Sequence, residues 1–258
     1  MTLETSFSLG QTRKVVFLHK GFWLNSEVTE IFENKWGVGG DFIFRSNNEM
    51  NQGSIFKRWH RFSLRPWVHY RFSPHLRVSF SPVGYFITNE YIGKKADYNR
   101  QPYDELRTTF QVSHQYKMMG ERFTHTFRHR FEIRYRRPFE KENFFIFTRY
   151  GLQYRLSFLI NKPYYWQKNV WYTYISNDIM INYGSRVVYN MFSQNRTQVA
   201  LGFRFHRSSR IELGYMNRFR SRSSGFEYDN TEALHLGIFI DQFSSLFGKD
   251  VKPVKFSD

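Results

Sequence analysis

The chain has 258 residues, with 38 Lys and Arg against 22 Asp and Glu (formal charge +16) and no cysteine. The missing thiol excludes disulfides, thiolate metal sites, a cysteine nucleophile and a cysteine lipid anchor. The charge points to acidic partners such as nucleic acid, anionic headgroups, acidic glycans or phosphorylated solutes. Aromatic residues make up 20% of the chain, more than a soluble core requires, and no run approaches the roughly 18 apolar residues of a membrane helix.

In chain order, residues 1–11 (MTLETSFSLGQ) lack the basic start and sustained apolar run of a complete signal peptide, and read as the remnant of one or as a disordered N-terminus. From there to residue 243 the texture is uniform, which predicts one domain over 12–243 and a periplasmic tail over 244–258. Residues 12–19 (TRKVVFLH) are read as the first strand, and a less regular one follows near 22–32. Period-two alternation, the signature of a strand with two unlike faces, then recurs. Trp36, Val38, Phe42 and Phe44 alternate with Lys35, Asp41 and Arg45, and Phe62, Leu64, Val68 and Tyr70 with Arg61, Arg65 and Arg71. Leu76, Val78 and Phe80 oppose Arg77, and Phe110 and Val112 oppose Gln111. Residues 127–139 (FRHRFEIRYRRPF) give the sharpest case, with Phe127, Phe131 and Ile133 on one parity and Arg128, Arg130, Glu132 and Arg134 on the other. Ile146 to Phe158, an irregular stretch near 171–183, Val199 to Phe205, Ile211 to Tyr215 and Leu234 to Ile240 complete the series.

Several strands exceed ten residues, the length a tilted strand needs to cross a bilayer. Tight connections (near 34, 73–75, 118–121 and 207–209) mostly alternate with long ones (46–55, 88–105 and 221–231), as in outer-membrane barrels with short periplasmic turns and long outer loops. An all-β, closed, antiparallel up-and-down transmembrane barrel is therefore expected. Twelve strands satisfy an even count and a periplasmic C-terminus, with ten as the alternative. So wide a sheet is too large for an apolar filling, and the competing arrangement is a soluble two-sheet sandwich. Gly151, Ala200, Gly202, Gly214 and Gly237 lie on the polar parity, where small residues suit a crowded lumen.

That polar parity carries Arg45, Arg61, Arg65, Arg71, Arg77, Arg107, Arg128, Arg130, Arg134, Arg149, Arg155, Arg196, Arg204 and Arg218, against Asp41, Glu132, Asp178, Glu212 and Asp241. Guanidinium forks grip carboxylate and phosphate at two points, so this stripe predicts a conduit or binding cavity for small anionic solutes. Alternatively, these arginines pair with the acids and fill the barrel as a polar core, giving a closed barrel with a structural or assembly role in the envelope. His125 and His129 share a parity but stand roughly 13 Å apart along a strand, too far to chelate one ion. His206, Ser208 and Ser209 sit on a tight turn, where turn chemistry explains them; an outer-membrane hydrolase is a minor alternative with no catalytic residue to name. Basic and aromatic residues segregate to opposite faces, against nucleic acid, whose stacking bases and phosphates need both on one face.

The stretches FRHRFEIRYRR, RYGLQYRLSF, SNDIMINYG, QNRTQVALGFRF, RIELGYMNRF and LHLGIFIDQF, in that order, resemble the domain of unknown function 2490 family of outer-membrane-barrel-like proteins; LRPWVHYRFSPHLRVSFSPVGYF resembles its first half. Asp178 stands where members tend to carry Glu, and SSLFGKDVKPVKFSD follows the Phe243 at which they tend to end. The resemblance implies a barrel in the outer membrane of a Gram-negative bacterium and no established activity. Expected partners are the lipid bilayer and lipopolysaccharide, small anionic solutes and other envelope proteins, with no nucleic acid, cofactor or metal.

Overall fold

The computed structural model describes residues 14–139, 143–184, 187 and 190–247. Eleven strands follow one another: β1 (Val15–Ile31), β2 (Trp36–Asn47), β3 (Arg58–Arg71), β4 (Leu76–Thr88), β5 (Tyr103–Met118), β6 (Phe123–Pro138), β7 (Phe145–Leu159), β8 (Val170–Tyr183), β9 (Phe192–His206), β10 (Ser209–Ser221) and β11 (Glu227–Ile240). Each pairs antiparallel with its neighbour in sequence, and β1 closes the barrel by pairing parallel with β11, from Val15↔Glu227 to Val28↔Ile240. The sandwich is excluded.

The count of twelve, and the alternative of ten, are corrected to eleven. Residues 15–19 are not a separate strand but the start of β1, since Leu18, Lys20, Phe22 and Leu24 continue one parity and His19, Gly21, Trp23 and Asn25 the other without a turn. The even count assumed antiparallel closure; a parallel seam removes that requirement. Residues 1–11 lie outside the described residues, as do 248–258; of the expected tail, Phe243–Phe247 form a short 3-10 turn.

The connections fall at two ends. The β1–β2, β3–β4, β5–β6, β7–β8 and β9–β10 junctions make the turn end, and the β2–β3, β4–β5, β6–β7, β8–β9 and β10–β11 junctions the loop end. Val15 starts at the loop end and Ile240 finishes at the turn end.

The wall is inverted relative to a soluble barrel. Outward-facing Phe42, Phe62, Leu64, Phe110, Ile146, Val199, Leu213 and Leu234 are 39–63% exposed, whereas inward-facing Arg45, Arg65, Arg107, Arg134, Arg218, Glu105, Glu132 and Glu212 are at most 5% exposed. Outward aromatic rings gather at the turn end, where Trp36 meets Tyr70 at 4.9 Å, Phe123 meets Phe158 at 5.0 Å and Trp171 meets Phe203 at 4.5 Å. One row breaks the apolar exterior: Asn177, Thr197, Asn217, Glu232 and Lys20 lie side by side across β8, β9, β10, β11 and β1. Asn177 donates to Thr197 at 2.9 Å, and Asn217 to Asn230 at 2.9 Å.

Register shifts beside Pro66 in β3 and Pro82 in β4 bulge the ladder, as expected where a residue has no N–H to donate. The β4 shift reverses parity, so Ser81 and Phe86 both point inward. The small-residue expectation holds at Gly202, where a Cβ would stand 2.2 Å from the Tyr172 ring.

Candidate functional site: an arginine-rich lumen under an inward loop

Alternation drives the arginines inward, and among those named from sequence Arg65, Arg107, Arg134, Arg149, Arg155, Arg196 and Arg204 meet a carboxylate there. In the loop-end half of β5, β6 and β7, Glu105 is gripped by Arg107, by Arg134 at 2.7 Å and by Arg136 at 3.3 Å, while Glu132 accepts from Arg107 at 3.1 Å and Arg149 at 2.7 Å. Towards the turn end Glu212 accepts from Arg155 at 2.9 Å and from the hydroxyls of Tyr172 and Tyr174 at 2.8 Å each. Asp241, just beyond β11, holds Arg204 at 2.6 Å and Arg210. Asp41 accepts from Arg65 at 2.8 Å and from the indole of Trp67 at 2.7 Å, and Asp178 binds Arg196.

Near the loop end, Asp229 joins His19 at 3.1 Å, Arg220 at 2.7 Å and Arg222 at 2.6 Å. Here the 89–102 connection folds into the mouth. Tyr91 and Ile92 are fully buried, and the Tyr91 ring lies 4.6 Å from that of His19 and 4.0 Å from that of His60. Gly93 permits this entry, because a Cβ there would stand 2.4 Å from the Phe17 ring. Asp97 then accepts from the backbone N–H of Gly93 at 2.9 Å and from Arg222 at 2.8 Å, Glu90 accepts from Arg220 at 3.0 Å, and Lys94 pairs with Glu227. Burial alone would raise the Asp97 carboxyl, but the Arg222 guanidinium and the Gly93 N–H outweigh it and hold the group below the ordinary Asp range. Glu90 is likewise lowered against its burial by Arg220 and Arg136, and Asp241 is lowered to about 2 by Arg210 and Arg204 against its burial.

Between the strands lies a small cavity leaving about 30 Å³ for the centres of water molecules, to which strands β2 through β9 all contribute. Seven arginines line it. Arg65, Arg107, Arg149 and Arg196 have the carboxylate partners given above, and Arg45, Arg61 and Arg130 have none among the described residues. Arg61 donates to Thr88 at 3.0 Å, Arg130 to Gln111 at 2.8 Å, and Arg45 stacks 3.8 Å from the Trp23 ring centre. A second recess beside Arg128, Arg130 and Asp178 is too tight for water.

Of the arginines named from sequence, Arg45, Arg61, Arg65, Arg107, Arg130, Arg149 and Arg196 meet at this cavity; Arg134 lies behind it on Glu105, Arg128 in the adjoining recess, and Arg155 and Arg204 in the turn-end networks. Arg71 sits at the turn-end limit of β3, opposite Arg77. Sequence reasoning missed Glu105, two residues before Arg107 and so on its parity, and Asp229, on the parity of His235. Tyr91 and Asp97 lie in a loop that alternation does not describe.

His125 and His129 face outward, hydrogen bonded to Tyr154 at 2.9 Å and Tyr150 at 2.6 Å. His206 bonds Ser208 at 2.8 Å within the β9–β10 turn, and Ser208 bonds Ser245 at 2.6 Å, so this trio fastens the turn to the segment after β11. Among the described residues, no three His, Asp or Glu side chains converge as metal ligands.

Comparison with curated proteins returns no match. A family model described as "Protein of unknown function (DUF2490)" matches residues 20–230, most of the barrel, and the chain belongs to that family.

Proposed function

We propose that the protein is an integral β-barrel of the Gram-negative outer membrane whose closed, arginine-rich lumen binds small anionic solutes rather than passing them freely. One observation carries this: a charged interior inside an apolar exterior. Burying guanidinium groups while exposing Phe, Leu and Ile to water reverses the hydrophobic effect, but the same arrangement is favourable when the outer medium is lipid. Strands of 12 to 17 residues are long enough to cross when tilted. The outward rings at the turn end fit an aromatic girdle at a periplasmic interface, a reading in which the long loops lie among lipopolysaccharide headgroups. The filled centre favours binding over free passage, because about 30 Å³ admits only a very few water molecules.

Reconstitution tests both parts. The purified chain is expected to insert into lipid vesicles, with heat-modifiable migration and a protease-resistant wall, and to give at most brief, small currents in planar bilayers at high salt. A chain that folds as a water-soluble monomer without detergent or lipid overturns the location. Steady ohmic conductance overturns the closed lumen. A second reading, passage gated by the 89–102 segment, is favoured by its hold on the wall through side-chain pairs and ring contacts and not through a strand ladder, and makes release of that segment the condition for current.

A further inference from the structure

The central cavity has a charge imbalance that its own walls do not resolve. The four paired arginines share Asp41, Glu105, Glu132 and Asp178, so the seven cationic groups exceed the carboxylates that touch them by three, and Glu105 is shared further with Arg134 and Arg136. Two of the donors carry unpartnered atoms: Nε of Arg45 and Nη1 of Arg65 have no hydrogen-bond partner among the described residues, and both side chains are 4% exposed. A buried guanidinium without a counter-charge loses its hydration and gains nothing in return. Arg61, Arg196 and Arg218 also stand near enough for their charges to act on Arg45, so the repulsion is concentrated there. The groups are nonetheless held in place. Phe86, 2% exposed, faces Arg107 at 3.8 Å, with Arg65 at 5.8 Å and Arg61 at 5.9 Å from its ring centre, and Trp23 holds Arg45 from behind.

We infer that this cavity is a binding site for a phosphate group, with Arg45, Arg61 and Arg130 as its principal ligands. The inference rests on the anion-binding reading above and makes it specific. A tetrahedral dianion offsets more of the surplus than a halide or a single carboxylate, and its oxygens accept from several planar guanidinium forks at once. The size agrees: a sphere whose centre volume is that of the void has an outer radius of about 3.3 Å once a water radius is added, enough for a phosphate and too little for a nucleoside. The phosphate is free or belongs to a compact phosphomonoester.

The test is thermal unfolding of the detergent-folded protein at fixed ionic strength in chloride, acetate, inorganic phosphate and glycerol 3-phosphate, and in phosphate-free detergent with added phosphatidylglycerol. At hundredfold excess over its dissociation constant, inorganic phosphate should raise the midpoint by about 5–10 °C, with chloride and acetate well behind. Glycerol 3-phosphate separates a monoester-compatible site from one for the free ion, and a phosphatidylglycerol response without a free-phosphate response assigns the effect to lipid and overturns the site. Arg45→Met should abolish the phosphate response while raising the midpoint in chloride, because it removes an unneutralised charge; Arg61→Gln supplies a second readout if Arg45→Met does not fold. Equal responses to all four anions that vanish in Arg45→Met and in Arg61→Gln overturn the phosphate assignment and leave lumen anion binding standing. No response to any anion, with the barrel intact, overturns both.

Discussion

Asp97 and Arg222, separated by 125 residues of chain, form an ion pair at 2.8 Å in which both side chains are almost wholly buried. That pair ties the inward segment to the wall, and Arg222 in turn is anchored on Asp229. Asp97→Asn is expected to release the segment without melting the barrel, since Arg222 keeps its second carboxylate. Breaking a buried pair costs about 3–5 kcal/mol, so trypsin should cut at Lys94, Lys95 and Arg100 at least about tenfold faster, with the far-ultraviolet β signal unchanged. If release opens a path, the same variant acquires conductance that the unaltered protein lacks.

Acid should act on the same attachment. Asp97 and Glu90 have carboxyls lowered in the folded protein, so each contributes stability above its unfolded value near pH 4, and that contribution fades as the pH falls through the folded value. Protease sensitivity of the segment should be flat from about pH 7 to 5 and rise below about pH 4. In Asp97→Asn, with its attachment already broken, the rise should be much smaller.

Leu213 is 55% exposed on the outer wall, while Asn217, four residues along the same strand and on the same face, belongs to the polar row. In a bilayer, Leu213→Arg should destabilise insertion by about 2–4 kcal/mol and Asn217→Arg by about 0–1 kcal/mol, the difference reflecting depth. Equilibrium folding into vesicles measures both. Equal, near-zero effects would mean that the outer wall meets water.

Glu212 gathers Arg155, Tyr172 and Tyr174. Glu212→Ala leaves Arg155 buried without this partner and should cost about 3–5 kcal/mol, whereas Tyr174→Phe removes one hydroxyl and should cost about 1 kcal/mol. Chemical denaturation in detergent gives the ratio.

Alternation made the wall legible. It placed Phe131 outside and Arg130 inside, and it assigned the small residues such as Gly202 to the crowded face. It failed where local rules stop. The β4 bulge beside Pro82 reverses parity, so Phe86, the ring on which three guanidinium groups rest, was not recognised as a lumen residue. The separate strand over residues 12–19 follows from starting the chain on the turn side of an even-numbered wall, whereas the unbroken pattern through Lys20 and Gly21 argues for one long strand. Tyr91 and Asp97 act through a connection whose path depends on Phe17 and Arg222, both remote in sequence, so periodicity carried no signal for them. Which arginines lack a carboxylate is likewise a property of packing: Arg134 and Arg130 look alike in the sequence, yet Glu105 is within reach of the first and not of the second.

The parallel seam between β1 and β11 sets the order in which this wall can be assembled. Every other junction joins consecutive strands and can zip from its own hairpin, whereas the seam must bring together partners such as His19 and Asp229 across 210 residues, an encounter that only a nearly complete sheet makes affordable in entropy. On this entropy argument the seam is the last joint to shut. Until it shuts, both terminal strands present bare N–H and C=O groups, and the unclosed sheet can pair along either edge with any strand that reaches it.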